Sequence, residues 1–306
     1  MWPENVADEW RTRGFVILPG FLSAEELSPA LGELPTMFPT SEGFHDGTDA
    51  RRERYVDDEF DGIDTFPFAS TAFSLLAVHP RIVGLAETLL GQRDLRLSSA
   101  EAWAKYTGAT SYDQELHRDY LNQTILVPST ADRYQHLELF VFLVDVPEEL
   151  GPPHLVPYDH TADLPMNPNF YPRNGGAGDF VSPDDNTHLY DAEQSGAAPA
   201  GTVIAFNTRT FHRGTGLWKH RGARYSMQLI YRPAEADWGQ RMAWAPRSHE
   251  PAWYEFVHRA TPRQLELFGF PAPGHPFWTG ETLSGIGRRY PKLDLTPGEP
   301  SVLSRT

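Results

Sequence analysis

The sequence contains no cysteine. That absence removes disulfides, thiolate nucleophiles, iron–sulfur clusters and every cysteine-based zinc site. Any metal the chain binds must therefore be held by His, Asp or Glu. Positive charge is also scarce: 26 Lys and Arg stand against 41 Asp and Glu, a formal net charge of −15. A phosphate backbone attracts a basic face through counterion release, so neither nucleic acid nor an anionic membrane is expected as a partner, although a local basic pocket is compatible with the total. Long hydrophobic runs are missing too. The longest, around Leu139 to Val144, falls far short of the roughly 20 residues that cross a bilayer. The amino terminus, MWPENVADEW, carries acidic residues where a secretory leader carries basic ones. A cytoplasmic protein is expected. The sequence has no GxGxxG or Walker sequence and no internal repeat.

What is present suits a folded chain. Hydrophobic residues make up 40% and charged residues 22%, ordinary globular usage with enough apolar material for a core. At 306 residues one domain, 1–306, is expected. Its first part, to about residue 92, reads as helical with one short strand, Phe15 to Leu18, closed by Pro19-Gly20. Ser23-Ala24-Glu25-Glu26 has the spacing of a capping box, and Pro80 suits the first turn of another helix. From about 93 to 235 the pattern is β: Leu95–Tyr106, Thr124–Val127, His136–Val146, His154–Pro157, Gly201–Asn207 and Arg224–Arg232. Strands without a helix between each pair predict an antiparallel barrel or sandwich. From about 236 to 306 short helices return, at Pro251–Arg259 and Thr279–Tyr290. The polar stretch Gly43–Asp64 reads as a surface loop. Asp159–Pro199 has little periodicity, and a loop of that length is expected to act as a lid or to lack order. Both stretches have aromatics in or beside them, among them Phe60, Phe66, Phe68 and Phe170, and are read as a substrate entrance.

The sharpest chemical signal is His117-Arg118-Asp119. In an extended segment, residues two apart point to the same side and can grip one ion. Alone it is weak, because a chain with 12 histidines and many aspartates supplies about one His-x-Asp by chance. Context strengthens it. His212 follows the apolar strand Gly201–Phe206, where a strand end can present a ligand into a barrel mouth. Two histidines and a carboxylate make a facial triad that leaves iron(II) open positions for a chelating co-substrate and O₂. Arg224-Tyr225-Ser226 opens another apolar strand, with Arg and Ser on one face, as a carboxylate site needs. His136-Leu137-Glu138 is a competing His-x-carboxylate, read as an edge-of-strand pair. His154 and His160 read as structural or surface groups, Trp103 and Tyr106 as packing residues, and Lys105 as a solvated charge.

In this order and spacing the sequence resembles the phytanoyl-CoA dioxygenase group of 2-oxoglutarate-dependent oxygenases. The resemblance runs through Gly14–Leu22, Gln114–Asp119, Gly151–Pro157, Gly201–His212 and Arg224–Tyr231. It implies a double-stranded β-helix, mainly β with flanking helices, and carries the iron(II) ligand roles onto His117, Asp119 and His212. It further implies that Arg224, with Ser226 beside it, binds the distal carboxylate of 2-oxoglutarate and that Gln114 lies near the keto-acid end. The interval from His212 to Arg224 is longer than usual in the group, which keeps Arg221 as an alternative. Halogenating relatives replace the ligand carboxylate by a small residue; Asp119 favours hydroxylation or another O₂-dependent oxidation of a small organic molecule, with succinate and CO₂ as co-products. The rival readings are a non-catalytic metal- or ligand-binding barrel and a zinc hydrolase using the same ligands; neither has use for Arg224 and Ser226. The substrate and the oligomeric state are not specified by the sequence.

Overall fold

The computed structural model describes residues 2–56, 62–109, 113–119, 131–161, 164, 171–173, 176–178, 180–236, 247–248 and 250–293. The expected strand Thr124–Val127 lies outside them, as do Phe60 and Phe170. Every second residue of the strand Ala223–Pro233 is apolar, and the sheet is built around it. In chain order the strands are β1 (Phe15–Leu18), β2 (Ile63–Thr65), β3 (Leu95–Tyr106), β4 (Leu137–Phe142), β5 (His154–Leu155), β6 (Tyr171–Arg173), β7 (Gly176–Gly178), β8 (Gln194–Ser195), β9 (Val203–Asn207), β10 (His212–Arg213) and β11 (Ala223–Pro233). They form a six-stranded antiparallel sheet ordered β1-β9-β4-β11-β3-β2, a three-stranded sheet ordered β10-β5-β8, and the β6-β7 hairpin. The large and small sheets are the two walls of a double-stranded β-helix. Both β1 and β2 come from the helical first part of the chain, and they form the two edges of the large sheet.

Alternation along the strands sorts the two faces. Tyr225, Met227, Leu229 and Tyr231 of β11, with Ala100, Ala102, Ala104 and Tyr106 of β3, join the main apolar core with the helices. That layer contains α1 (Val6–Arg13), α2 (Ala24–Met37), α3 (Ser41–His45), α4 (Thr71–Leu76) and α5 (Pro80–Leu90), and at the other end of the chain α7 (Pro251–Arg259), after the short α6 (Thr187–Ala192); α8 (Pro262–Glu266) and α9 (Gly280–Arg289) follow. The capping box at Ser23 is formed: Glu26 N–H donates to Ser23 Oγ at 3.2 Å, and Ser23 N–H to Glu26 Oε2 at 2.7 Å. Thr71–Leu90 is long and apolar enough to cross a membrane by composition, but 72% of it is buried here, and it is broken into α4 and α5 before Pro80. The opposite face of the sheet carries a smaller core of Phe15, Phe142, Ile204 and Phe206 facing Leu155 and Leu217.

Two expected loops contain ordered elements. Gly43–Asp64 overlaps α3 and contains a 3₁₀ turn at Ala50–Tyr55, each with a side-chain cap, from Thr40 and Asp49. Phe44 and Tyr55 are buried, and the Phe44 ring stacks on Tyr106 with centroids 4.0 Å apart. Asp159–Pro199 contains β6, β7, α6 and β8. Phe66 and Phe68 are buried core residues, Phe66 against Phe256 and Phe268. These two rings are therefore packing residues and not part of an entrance.

One polar cluster holds the small sheet together. Arg213 of β10 donates to both Glu193 oxygens at 2.7 Å. His154 of β5 bridges Glu193, at 2.9 Å, and Glu148, at 2.7 Å. Burial alone would raise the Glu193 carboxyl, but hydrogen bonds from Arg213 and His154 overcome it and hold the group at about 2. A carboxyl depressed from 4.5 in this way contributes stability above its unfolded pKa, and that contribution is lost as pH falls toward the folded value. Glu193→Gln is expected to lower unfolding stability by about 2–3 kcal/mol near pH 7. The difference from wild type should shrink as pH falls below about 4.5. Denaturant titrations of both proteins across that range check it; a pH-independent difference would show that the charge is not the cause.

Candidate active site

His117 and His212 face each other across a bridge between two chain segments. Each backbone N–H donates to the other's carbonyl at 3.0 Å, which fixes the two Cα positions. The imidazoles lie with centroids 4.7 Å apart. His117 Nδ1 lies 2.8 Å from the Glu115 carbonyl and His212 Nδ1 lies 3.1 Å from the Thr210 carbonyl. A carbonyl can only accept, so both Nδ1 atoms donate and both Nε2 atoms are left to face Asp119. Both Nε2 atoms turn toward Asp119: His117 Nε2 is 3.4 Å from Oδ1 and His212 Nε2 is 3.3 Å from Oδ2. The three donor atoms lie within 4.8 Å of one another. Two imidazoles and one carboxylate fit a divalent first-row metal.

Behind Asp119 stands Gln228 of β11, whose Nε2 is 3.4 Å from Asp119 Oδ2 and 3.4 Å from Glu138 Oε2. Burial opposes ionisation of Asp119, but the His212 and His117 imidazoles hold its carboxyl well below the usual range. Glu138, fully buried, is pushed well above its usual range by burial and by Asp119. Asp119 takes the charge of the pair. His136 immediately precedes β4 and Glu138 is its second residue, so the pair stands at the edge of that strand as expected, with β4 itself lying between β9 and β11. Burial and Arg232 push His136 down to about 4.

The triad opens into a cavity of about 760 Å³. Alternate residues of three neighbouring strands line it: Arg224, Ser226 and Gln228 of β11, Glu101, Trp103 and Lys105 of β3, and Phe140 and Phe142 of β4. Trp103 and Lys105, expected as a packing residue and a solvated charge, are wall residues. Gln114 also lines the cavity, its Oε1 accepting from Gly214 N–H at 3.0 Å. Arg224 and Ser226 are buried, at 7% and 2% exposure. Arg221 instead lies outside, ion-paired with Asp46 at 2.6 Å. His160 is half-exposed, 3.7 Å from Asp159, and His154 belongs to the Glu193 cluster. Gln228 was legible in the sequence as the next polar residue in the Arg224, Ser226 alternation. Phe180, 42% exposed with its ring 5.3 Å from that of His117, had no sequence signal.

The phytanoyl-CoA dioxygenase (PhyH) family profile matches residues 10–216. A comparison with curated proteins gives no match. Among solved structures, the chain is similar to the epimerase SnoN in complex with Fe³⁺, α-ketoglutarate and nogalamycin RO, at 27% identity and a TM-score of 0.57, covering 76% of this chain and 83% of that one. EctD from S. alaskensis, solved with 2-oxoglutarate and 5-hydroxyectoine, shares the fold at 17% identity and a TM-score of 0.55, covering 77% and 80%. The carbocyclase SnoK from nogalamycin biosynthesis does so at 20% and 0.52, covering 76% and 85%. The chain belongs to the phytanoyl-CoA dioxygenase family and is an iron- and 2-oxoglutarate-dependent non-haem oxygenase.

Proposed function

We propose that His117, Asp119 and His212 hold the iron of this enzyme, that Arg224 and Ser226 bind the far carboxylate of 2-oxoglutarate, and that Gln114 borders its keto-acid end. The observation that carries this reading is the arrangement of one cavity with two charged ends. At one end three donor atoms converge within 4.8 Å. Four residues along β11 from Gln228, about 13 Å of strand, stands the buried Arg224 with Ser226 on the same face. A dicarboxylate that chelates a metal needs both ends. When bound, iron(II) supplies the oxygen chemistry that converts 2-oxoglutarate to succinate and CO₂ while the substrate is oxidised.

The protein's own contribution is position and dryness. The Glu115 and Thr210 carbonyls fix both imidazole tautomers, and Gln228 holds one oxygen of Asp119 in place. Phe140, Phe142 and Phe206 shield the buried wall, with Phe206 4.7 Å from the His212 ring. The substrate is a small organic molecule that enters the part of the cavity nearest Glu101 and Phe180, and the whole chain acts as a single domain. Loading the protein anaerobically with Fe(II) and 2-oxoglutarate, then admitting O₂ with candidate substrates, tests this. Succinate release should depend on both iron and O₂ and should rise when a substrate is present. Turnover that zinc supports without O₂ would overturn the reading.

A further inference from the structure

The wall beside the triad carries a charge that neither iron nor 2-oxoglutarate uses. Glu101, Trp103 and Lys105 alternate along β3 and line the cavity. Glu101 is the register partner of Gln228, the residue that touches Asp119. Adjacent strands run about 4.8 Å apart, so Glu101 stands at the triad end of the cavity. Lys105, the register partner of Arg224, starts about 13 Å away along the strand, and its Nζ lies over the Trp103 ring, 5.7 Å from the centroid.

Glu101 is partly buried, and among the described residues it forms no ion pair. Ser99 Oγ lies 3.4 Å from its Oε1. Burial pushes its carboxyl up, against the influence of the Trp103 indole and the Ser99 hydroxyl, and the Asp119 charge pushes it further in the same direction. The cation nearest in the small sheet, Arg213, is committed to Glu193 and Asp113. In the assembled site the charges of iron(II), Asp119, the 2-oxoglutarate dianion and Arg224 sum to zero. Lys105, the remaining cation on this wall, is engaged over the Trp103 ring and makes no ion pair with Glu101 among the described residues, so the Glu101 carboxylate has no cation paired with it at its own end of the cavity, where a substrate has to sit to meet the oxidant.

We propose that Glu101 is a substrate-recognition subsite that takes a protonated amine and sets the neighbouring carbon of that molecule against the metal. This rests on the triad reading given above. A charge-assisted hydrogen bond in a partly buried site should favour the amine over a neutral isostere about ten- to hundredfold. Two other uses of Glu101 are physically possible: accepting from a substrate hydroxyl, or supporting Gln228 and Asp119. They make different predictions.

The test compares cyclohexylmethylamine, cyclohexylmethanol and cyclohexanecarboxylate as probes of the nickel(II)- and 2-oxoglutarate-loaded protein, by calorimetry and by nickel-induced relaxation of the probe protons. The amine should bind about ten- to hundredfold more tightly than the alcohol and be relaxed by nickel. Glu101→Gln should erase that preference with nickel and 2-oxoglutarate affinity unchanged, while Glu101→Asp, which keeps the charge, should retain part of it and report on folding. Equal binding of amine and alcohol, or no binding of the amine, overturns the proposal. So does a preference that survives Glu101→Gln, or a loss of nickel affinity in that variant. Running the metal-free protein in parallel separates the two readings: an amine preference with no binding of 2-oxoglutarate sinks the triad assignment alone, and the reverse sinks the subsite alone.

Discussion

Alanine at His117, Asp119 or His212 is expected to strip iron from the protein and to reduce succinate release to background. Loss of a residue that merely supports a metal ligand costs about 10–100-fold in metal affinity or activity, and removal of a ligand should exceed that. The folding control is favourable, because the bridge that sets the two histidines opposite each other is made by main-chain atoms and survives truncation of either ring. Asp119→Gly gives a sharper comparison. It leaves two imidazole donors and removes the only carboxylate among the three, so weak metal binding should persist while oxidation of the substrate stops. Iron content by elemental analysis and succinate release should be measured on the same samples. Near-normal iron and turnover in His212→Ala would move the third ligand elsewhere. His154 and His160 are poor replacements, since one is held by Glu148 and Glu193 and the other is half-exposed beside Asp159.

The contrast between what was legible in the sequence and what was not follows from the range over which each signal acts. The long strands β3 and β11 carry their alternation along 12 and 11 residues, enough for a period of two to stand out. The strands that make the small sheet, β5, β8 and β10, are two residues each. No periodicity exists at that length, so His212 was legible through the apolar run before it and the family resemblance, not through its own strand. α3 and the 3₁₀ turn after it are held by Thr40 and Asp49 caps and by Phe44 stacking on Tyr106 from a distant strand; their charged sequence suggested a loop. α2 continues through Pro29 and Pro35, where proline ordinarily ends a helix. The same limit applies to the site. His117, Asp119 and Arg224 are recognisable because their spacing is local. Glu101, Glu138 and Gln228 come together only through the pairing of β3, β11 and β4, and nothing in the sequence places Trp103 or Lys105 on a cavity wall.

Arg224→Gln is expected to raise the Michaelis constant for 2-oxoglutarate about ten- to hundredfold while leaving iron content unchanged. The size follows from losing a charge-assisted pair, about 1.5–3 kcal/mol. The choice of residue follows from the corner that begins β11. Gly222 N–H donates to His45 Nε2 at 3.0 Å, which pins the chain just before the strand. Arg221, on the outer side of that corner, reaches Asp46 at 2.6 Å with about half its side chain exposed. Arg224, two residues inside the corner, is 7% exposed and lines the cavity with Ser226. A surface pair of the first kind contributes about 0–1 kcal/mol to stability, so Arg221→Gln should leave 2-oxoglutarate binding and turnover close to wild type. Arg224→Lys should recover part of the affinity, because it restores the charge without the planar fork that meets a carboxylate at two points. Steady-state kinetics with 2-oxoglutarate varied at saturating iron would decide the matter. If the Arg221 variant shows the raised constant and the Arg224 variant does not, the carboxylate is read from outside the barrel and the two-ended cavity is the wrong description of this site.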